Sequence, residues 1–75
     1  MNIVIYGKTA CPSCDQAKQY LEKKDINFEY KCLGTDYTIS DFYEVAPRSH
    51  RTFPMISFNG EYLGSFEDLK KTLMS

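Results

Sequence analysis

The stretch KTACPSC, residues 8–14, decides how this chain is read. Two cysteines stand three apart, and a proline follows the first. Such a pair serves as a structural disulfide, as half of a metal site or as a thiol pair for electron exchange, and its surroundings choose among these. Before it, NIVIY (residues 2–6) is a continuous apolar run rich in β-branched side chains, the pattern of a strand buried on both faces. After it the pattern turns helical. Cys14, Ala17 and Leu21 share one face at i, i+3 and i+7, while Lys18, Glu22 and Lys23 face outward. Pro12 then takes the first helical position, where its missing N–H is not needed, and Cys11 becomes the N-cap. The Cys11 sulfur faces the unpaired N–H groups of the first turn and the positive end of the helix dipole, and both favour thiolate over thiol. Lys8 adds a positive charge nearby and Asp15 a negative one. Cys14, one turn in, is the less exposed of the two and is placed to resolve a mixed disulfide formed on Cys11.

A metal reading competes with this one. Cys11, Cys14, Cys32 and His50 could supply a Cys₃His zinc set, and the C-x₂-C spacing suits zinc. The second half is not a paired knuckle, however, since Cys32 and His50 are scattered. A cysteine before proline at a helix start just after a strand favours redox chemistry, so no metal ligands are assigned. Cys32 is expected to act as a small apolar residue on a strand. His50, beside Arg51 in a polar loop, is expected at the surface.

Composition narrows the class. Seventy-five residues make a single domain, 1–75. Six tyrosines and five phenylalanines can fill a small core, because large rings bury much area per residue. The net charge of -1 and the lack of any basic run argue against a nucleic-acid partner. The apolar run at the start is too short for a signal peptide or membrane span, so no membrane association is expected. Three cysteines, an odd number, fit thiol chemistry in a reducing compartment better than a secreted disulfide framework. A cytoplasmic protein is expected.

The rest of the chain supplies the scaffold. FEYKC (residues 28–32) alternates as a half-exposed strand, and the strand–helix–strand order predicts a parallel pair with a right-handed crossover. Ile39, Phe42 and Ala46 mark one face of a short helix that Pro47 ends. PMISF (residues 54–58) is a strand, and Asn59-Gly60 predicts a type I′ hairpin into EYLG (residues 61–64). Ser65 caps the last helix, with Asp68 completing a capping-box pattern and Phe66, Leu69 and Leu73 forming its buried stripe. The expected fold class is α/β: β-α-β-α-β-β-α, a four-stranded mixed sheet flanked by helices. Two further stretches are candidate binding elements. RTFP (residues 51–54) places proline at the head of an apolar strand, which is compatible with either a cis or a trans bond. GSFED (residues 64–68) offers N–H groups to a carboxylate at a helix start and acceptors to an amine through Glu67 and Asp68.

KTACPSC, TFP and LGSFEDL stand in the order and spacing of the glutaredoxin pattern, which has a lysine before T-x-C-P-x-C, then T-V-P, then G-G-x-D-D before the last helix. The chain resembles that family over essentially its whole length. The resemblance implies a thioredoxin-like fold and a dithiol oxidoreductase, with Cys11 as nucleophile, Cys14 as resolving cysteine and Pro54 as a cis-proline facing the thiols. It implies glutathione as electron-donating co-substrate, with no bound cofactor. Lys8 and Arg51 would meet the glycine carboxylate, and Thr52, Phe53 and Pro54 the cysteinyl unit. Ser65, Phe66, Glu67 and Asp68 would hold the γ-glutamyl end. Protein substrates would be disulfide-containing proteins such as ribonucleotide reductase, and the protein would be a monomer. The chain departs from the pattern in four places: Ser13 stands for an aromatic, Phe53 for valine, Ser65 for glycine and Glu67 for aspartate. Two other readings remain beside it. One is a similar redoxin fed by thioredoxin reductase, and the other is a metal or iron–sulfur module.

Overall fold

The computed structural model describes residues 2–74. Within them the elements run β1 (Ile3–Gly7), α1 (Pro12–Lys23), β2 (Glu29–Cys32), α2 (Ile39–Val45), β3 (Met55–Phe58), β4 (Glu61–Gly64) and α3 (Phe66–Met74), the order expected from the sequence. The strands form a four-stranded sheet in the order β2-β1-β3-β4. β1 pairs parallel with β2 and antiparallel with β3, and β3 pairs antiparallel with β4. Successive side chains of a strand point to opposite faces, and β1 divides its residues accordingly. Ile3 and Ile5, with Ile56, pack against Ala17 and Leu21 of α1 and Leu69 of α3. Val4 and Tyr6, with Met55, pack against Tyr37, Phe42 and Ala46 on the α2 side. Burial on both faces is why β1 is apolar throughout, whereas β2, at the sheet edge, leaves Glu29 exposed.

Local chemistry sets the element ends. α1 stops in a Schellman arrangement. Ile26 N–H donates to Leu21 C=O at 3.0 Å and Asp25 N–H to Glu22 C=O at 3.1 Å, with Asp25 in the left-handed region at φ 56°. α2 starts with a full capping box that the sequence reading did not single out. Thr38 Oγ1 accepts from Asp41 N–H at 3.3 Å, and Asp41 Oδ2 accepts from Thr38 N–H at 2.8 Å. It ends at Val45, because Ala46 precedes proline and is held extended at ψ 150°. β3 begins at Met55, leaving Pro54, which has no N–H to give a ladder, just outside. At the hairpin, Asn59 and Gly60 have φ of 54° and 85°, as a type I′ turn needs.

One expected core residue lies outside. Ile39 is 50% exposed, while Phe42 and Ala46 are buried. Its helical spacing to Phe42 is correct, but only the later part of α2 lies over Val4, Tyr6 and Met55. Ile39, at the first helical position, overhangs and lines a surface hollow with Ser40, Tyr43, Glu44 and Arg48.

The α2 cap makes stability pH-dependent. Hydrogen bonds from the Thr38 backbone and then its side chain hold the Asp41 carboxyl below its ordinary value. A carboxyl depressed in the folded state stabilises when ionised, so this contribution is complete above the unfolded value of about 3.9 and fades as pH falls through the lower folded one. Asp41→Asn is expected to lower the urea midpoint at pH 7, with the gap to the parent closing towards pH 2. A gap that persists in acid would show that the carboxylate is not the stabilising species.

Candidate active site

Sheet topology gathers the three singled-out stretches. β1 ends at Gly7 and leads to the Lys8–Cys11 loop. β3 runs the other way, with Tyr6 opposite Met55, so the residues just before Met55 lie at the β1 C-terminal end. β4 reverses again and ends at Gly64, opposite Ile56. The cysteine pair, the Thr52–Pro54 turn and the start of α3 therefore share one end of the sheet. Cys32, opposite Gly7 at the end of β2, lies there too.

At the first stretch, Cys11 caps α1 as its position before Pro12 predicted. The Cys11 backbone is extended, and its Sγ accepts from Cys14 N–H at 3.3 Å. Cys11 and Cys14 are joined as a disulfide with Cα atoms 5.3 Å apart, within the span such a bond allows. Cys11 retains 8% exposure and Cys14 none, the ordering that an attacking and a resolving sulfur require. Two tyrosines distant in sequence support the loop beneath them. Tyr37 Oη donates to Gly7 C=O at 2.8 Å, and Tyr30 Oη to Lys8 C=O at 3.4 Å. Burial raises the pKa of both phenols above its ordinary value, although Lys18 beside Tyr30 pulls the other way. They remain neutral donors at physiological pH. Cys32 is half-buried and unbridged.

At the second stretch the Phe53–Pro54 bond is cis. Pro54 is buried, Phe53 half-buried, and Arg51 and Thr52 exposed. Lys8 Nζ lies 5.1 Å from the Phe53 ring centroid, so the cation and the turn face each other across the site. The expected surface position of His50 is not what the fold gives. His50 is only 9% exposed. Its Nδ1 lies 2.7 Å from Tyr62 Oη and its Nε2 2.9 Å from Thr52 C=O. Tyr43 Oη donates to its carbonyl at 3.0 Å, and its ring packs against Phe42. Neighbours in a sequence window suggested a polar loop, while the residues that cover His50 come from α2 and β4. With both ring nitrogens engaged, His50 is not available to the zinc set, and among the described residues no three His, Cys, Asp or Glu side chains gather to hold a metal ion.

At the third stretch, Gly64 has φ 138°, a conformation that needs glycine, and a Cβ there would run into the Asp68 carboxylate. Asp68 Oδ2 accepts from Ser65 N–H at 2.9 Å and from Ser65 Oγ at 3.2 Å. The Ser65 backbone bond, helped by its hydroxyl, outweighs the opposing effect of burial and holds the Asp68 carboxyl below its ordinary value, so it is ionised near neutrality. The Ser65 hydroxyl thus donates to Asp68 instead of accepting at the helix start, which is half of the expected capping box. Glu67 is exposed and 3.4 Å from Lys70, a surface pair weak enough to give way to a ligand amine. The half-buried Phe66 ring stacks edge-on against Tyr20 of α1, with Lys70 Nζ 4.8 Å from its centroid.

Comparison with known proteins agrees with these features. The family model described as glutaredoxin matches residues 3–63. A hybrid peroxiredoxin of Haemophilus influenzae is 39% identical over 93% of this chain, which spans only 28% of that protein's length. Among solved structures, reduced glutaredoxin of Escherichia coli superposes with a TM-score of 0.82 at 26% identity, covering 99% of this chain and 94% of that one. Glutaredoxin 1 of Francisella tularensis, solved with cacodylate, gives 0.76 at 29% identity, covering 97% and 92%.

Proposed function

Since the chain belongs to the glutaredoxin family, and is therefore a thiol–disulfide oxidoreductase, we propose that glutathione is its reductant and that Cys11 and Cys14 divide the work. The observation that carries the division of roles is the Cys14 N–H directed at the Cys11 sulfur at the start of α1. It favours negative charge on Cys11 alone.

In the reduced pair, Cys11 thiolate attacks one sulfur of a target disulfide. That S–S bond breaks, the departing sulfur takes a proton from solvent, and Cys11 is left in a mixed disulfide. Cys14, deprotonated, attacks Cys11 Sγ and releases the second target sulfur as a thiol. The target has gained two electrons and two protons, and the pair is oxidised as in the structure. One glutathione thiolate then attacks Cys11 Sγ and frees Cys14. A second attacks the sulfur of the bound glutathione, leaving oxidised glutathione and Cys11 thiolate. No bound cofactor enters, because the electrons travel on sulfur.

Three placements support glutathione. Lys8, beside the Phe53 ring, suits the glycine carboxylate, as does exposed Arg51 two residues before Phe53. The Phe53 backbone suits the cysteinyl unit, and the α3 start with Glu67 and Asp68 suits the γ-glutamyl end. We place this activity in the cytoplasm, in a monomer, with ribonucleotide reductase as a candidate protein substrate. The 39% relative's name favours a peroxiredoxin as a second candidate substrate. Ser13, exposed between the cysteines where the family pattern has an aromatic, gives weight to thioredoxin reductase as an alternative donor.

The deciding test supplies NADPH with either glutathione and glutathione reductase or thioredoxin reductase alone. Turnover of a glutathione mixed disulfide is expected only with the first. Equal turnover with thioredoxin reductase alone would move the donor assignment to that enzyme.

A further inference from the structure

We propose that His50 and Tyr62 form a positioning brace that aims the Phe53 N–H at the peptide part of the substrate and fixes its distance from the α3 start. The inference rests on the reading above that the Phe53 backbone and the α3 start hold opposite parts of one extended ligand.

The hydrogen-bond roles follow from the partners. A carbonyl only accepts, so the neutral ring carries its proton on Nε2 and donates it to Thr52 C=O at 2.9 Å. Nδ1 is then bare and accepts from Tyr62 Oη at 2.7 Å. Both nitrogens of a buried imidazole are satisfied in one tautomer. Thr52 C=O belongs to the same planar peptide unit as Phe53 N–H. The Thr52–Phe53 bond is trans, the cis bond being the next one, so fixing the carbonyl sends the N–H in the opposite direction. His50 thus orients a group it does not touch.

The other end of the brace is tied to the second half of the site. Tyr62 sits on β4 two residues before Gly64, which opens into α3. Asp68, in the first turn of α3, adds to the burial that raises the Tyr62 phenol. The run Thr52–His50–Tyr62 crosses from the turn before β3 to the strand that leads into α3. His50 is itself held from behind, by Tyr43 on its carbonyl and by its own N–H on Pro47 C=O at 3.0 Å.

The test compares Tyr62→Phe, His50→Leu, His50→Gln and the double variant His50→Leu/Tyr62→Phe with the parent. Steady-state kinetics on a glutathionylated peptide are read beside the rate of Cys11 alkylation by iodoacetamide, which does not use the peptide groove. Tyr62→Phe removes one partly exposed hydroxyl and spares folding. It is expected to raise KM about three- to tenfold, the equivalent of one hydrogen bond, with kcat and alkylation rate unchanged. His50→Leu is expected to raise KM at least as much, the double variant no more than His50→Leu alone, and His50→Gln, which keeps one donor and one acceptor, to recover part of the loss. KM for Tyr62→Phe within about twofold of the parent, or fully additive effects in the double variant, would overturn the brace. A parent that does not turn over the adduct at all removes the glutathione reading instead. The same variants are then scored with the same criteria on a disulfide-linked peptide, whose extended backbone needs the same Phe53 peptide unit.

Discussion

Cys11→Ser is expected to abolish all thiol transfer, and Cys14→Ser to keep exchange with glutathione mixed disulfides while losing reduction of protein disulfides. The asymmetry is built by one helix start. Only Cys11 occupies the N-cap, where its sulfur accepts the Cys14 N–H and feels the unpaired donors of the first turn. Cys14 is buried on the α1 face against the sheet, so it meets only a sulfur already delivered to its neighbour. Removing glutathione from an adduct needs a single attacking thiol, because free glutathione completes the cycle. A protein disulfide held on Cys11 needs the second thiol in place to expel it. Activity on both substrate types, measured for each variant with glutathione and glutathione reductase, checks the assignment. Substantial adduct turnover by Cys11→Ser would reverse the roles.

Gly64→Ala is expected to damage fold and site together. At φ 138° an alanine is strained by about 1–3 kcal/mol. Its Cβ also meets the Asp68 carboxylate, which must swing away and give up the Ser65 N–H. The start of α3 loses its cap at the point proposed to receive the γ-glutamyl group. A fall in Tm of at least about 4 °C is expected, since a domain of this size loses roughly that much per kcal/mol. KM for a glutathione adduct should rise as well. Asp68→Ala in the same chain isolates the collision: adding Gly64→Ala to it should cost less than adding Gly64→Ala to the parent. Equal costs in the two backgrounds would show that the clash with Asp68 is relieved without loss of the cap.

Where a residue's environment is made by its sequence neighbours, the sequence was sufficient. NIVIY read as a doubly buried strand, Pro12 after Cys11 marked the helix start, Asn59-Gly60 marked the turn, and Pro47 marked the end of α2. Each depends on backbone chemistry within a few residues. The misread positions depend on partners far along the chain. His50 is covered by Tyr62, twelve residues on, and by α2. The loop before Cys11 rests on Tyr30 and Tyr37, whose targets lie 22 and 30 residues away. No local pattern marks a tyrosine as a support for a distant carbonyl. Ile39 failed for a different reason: helical spacing tells which residues share a face, but not how far along that face the sheet extends. The Thr38–Asp41 box was legible as T-x-x-D and needed only to be sought.

Helix-start geometry favours Cys11 as the reactive thiol. The most direct measurement reduces the protein fully, exposes it briefly to iodoacetamide at mildly acidic pH, and locates the label by peptide mass. Label is expected on Cys11 well before Cys14 or Cys32. Label arriving first on Cys14 or Cys32 would contradict it.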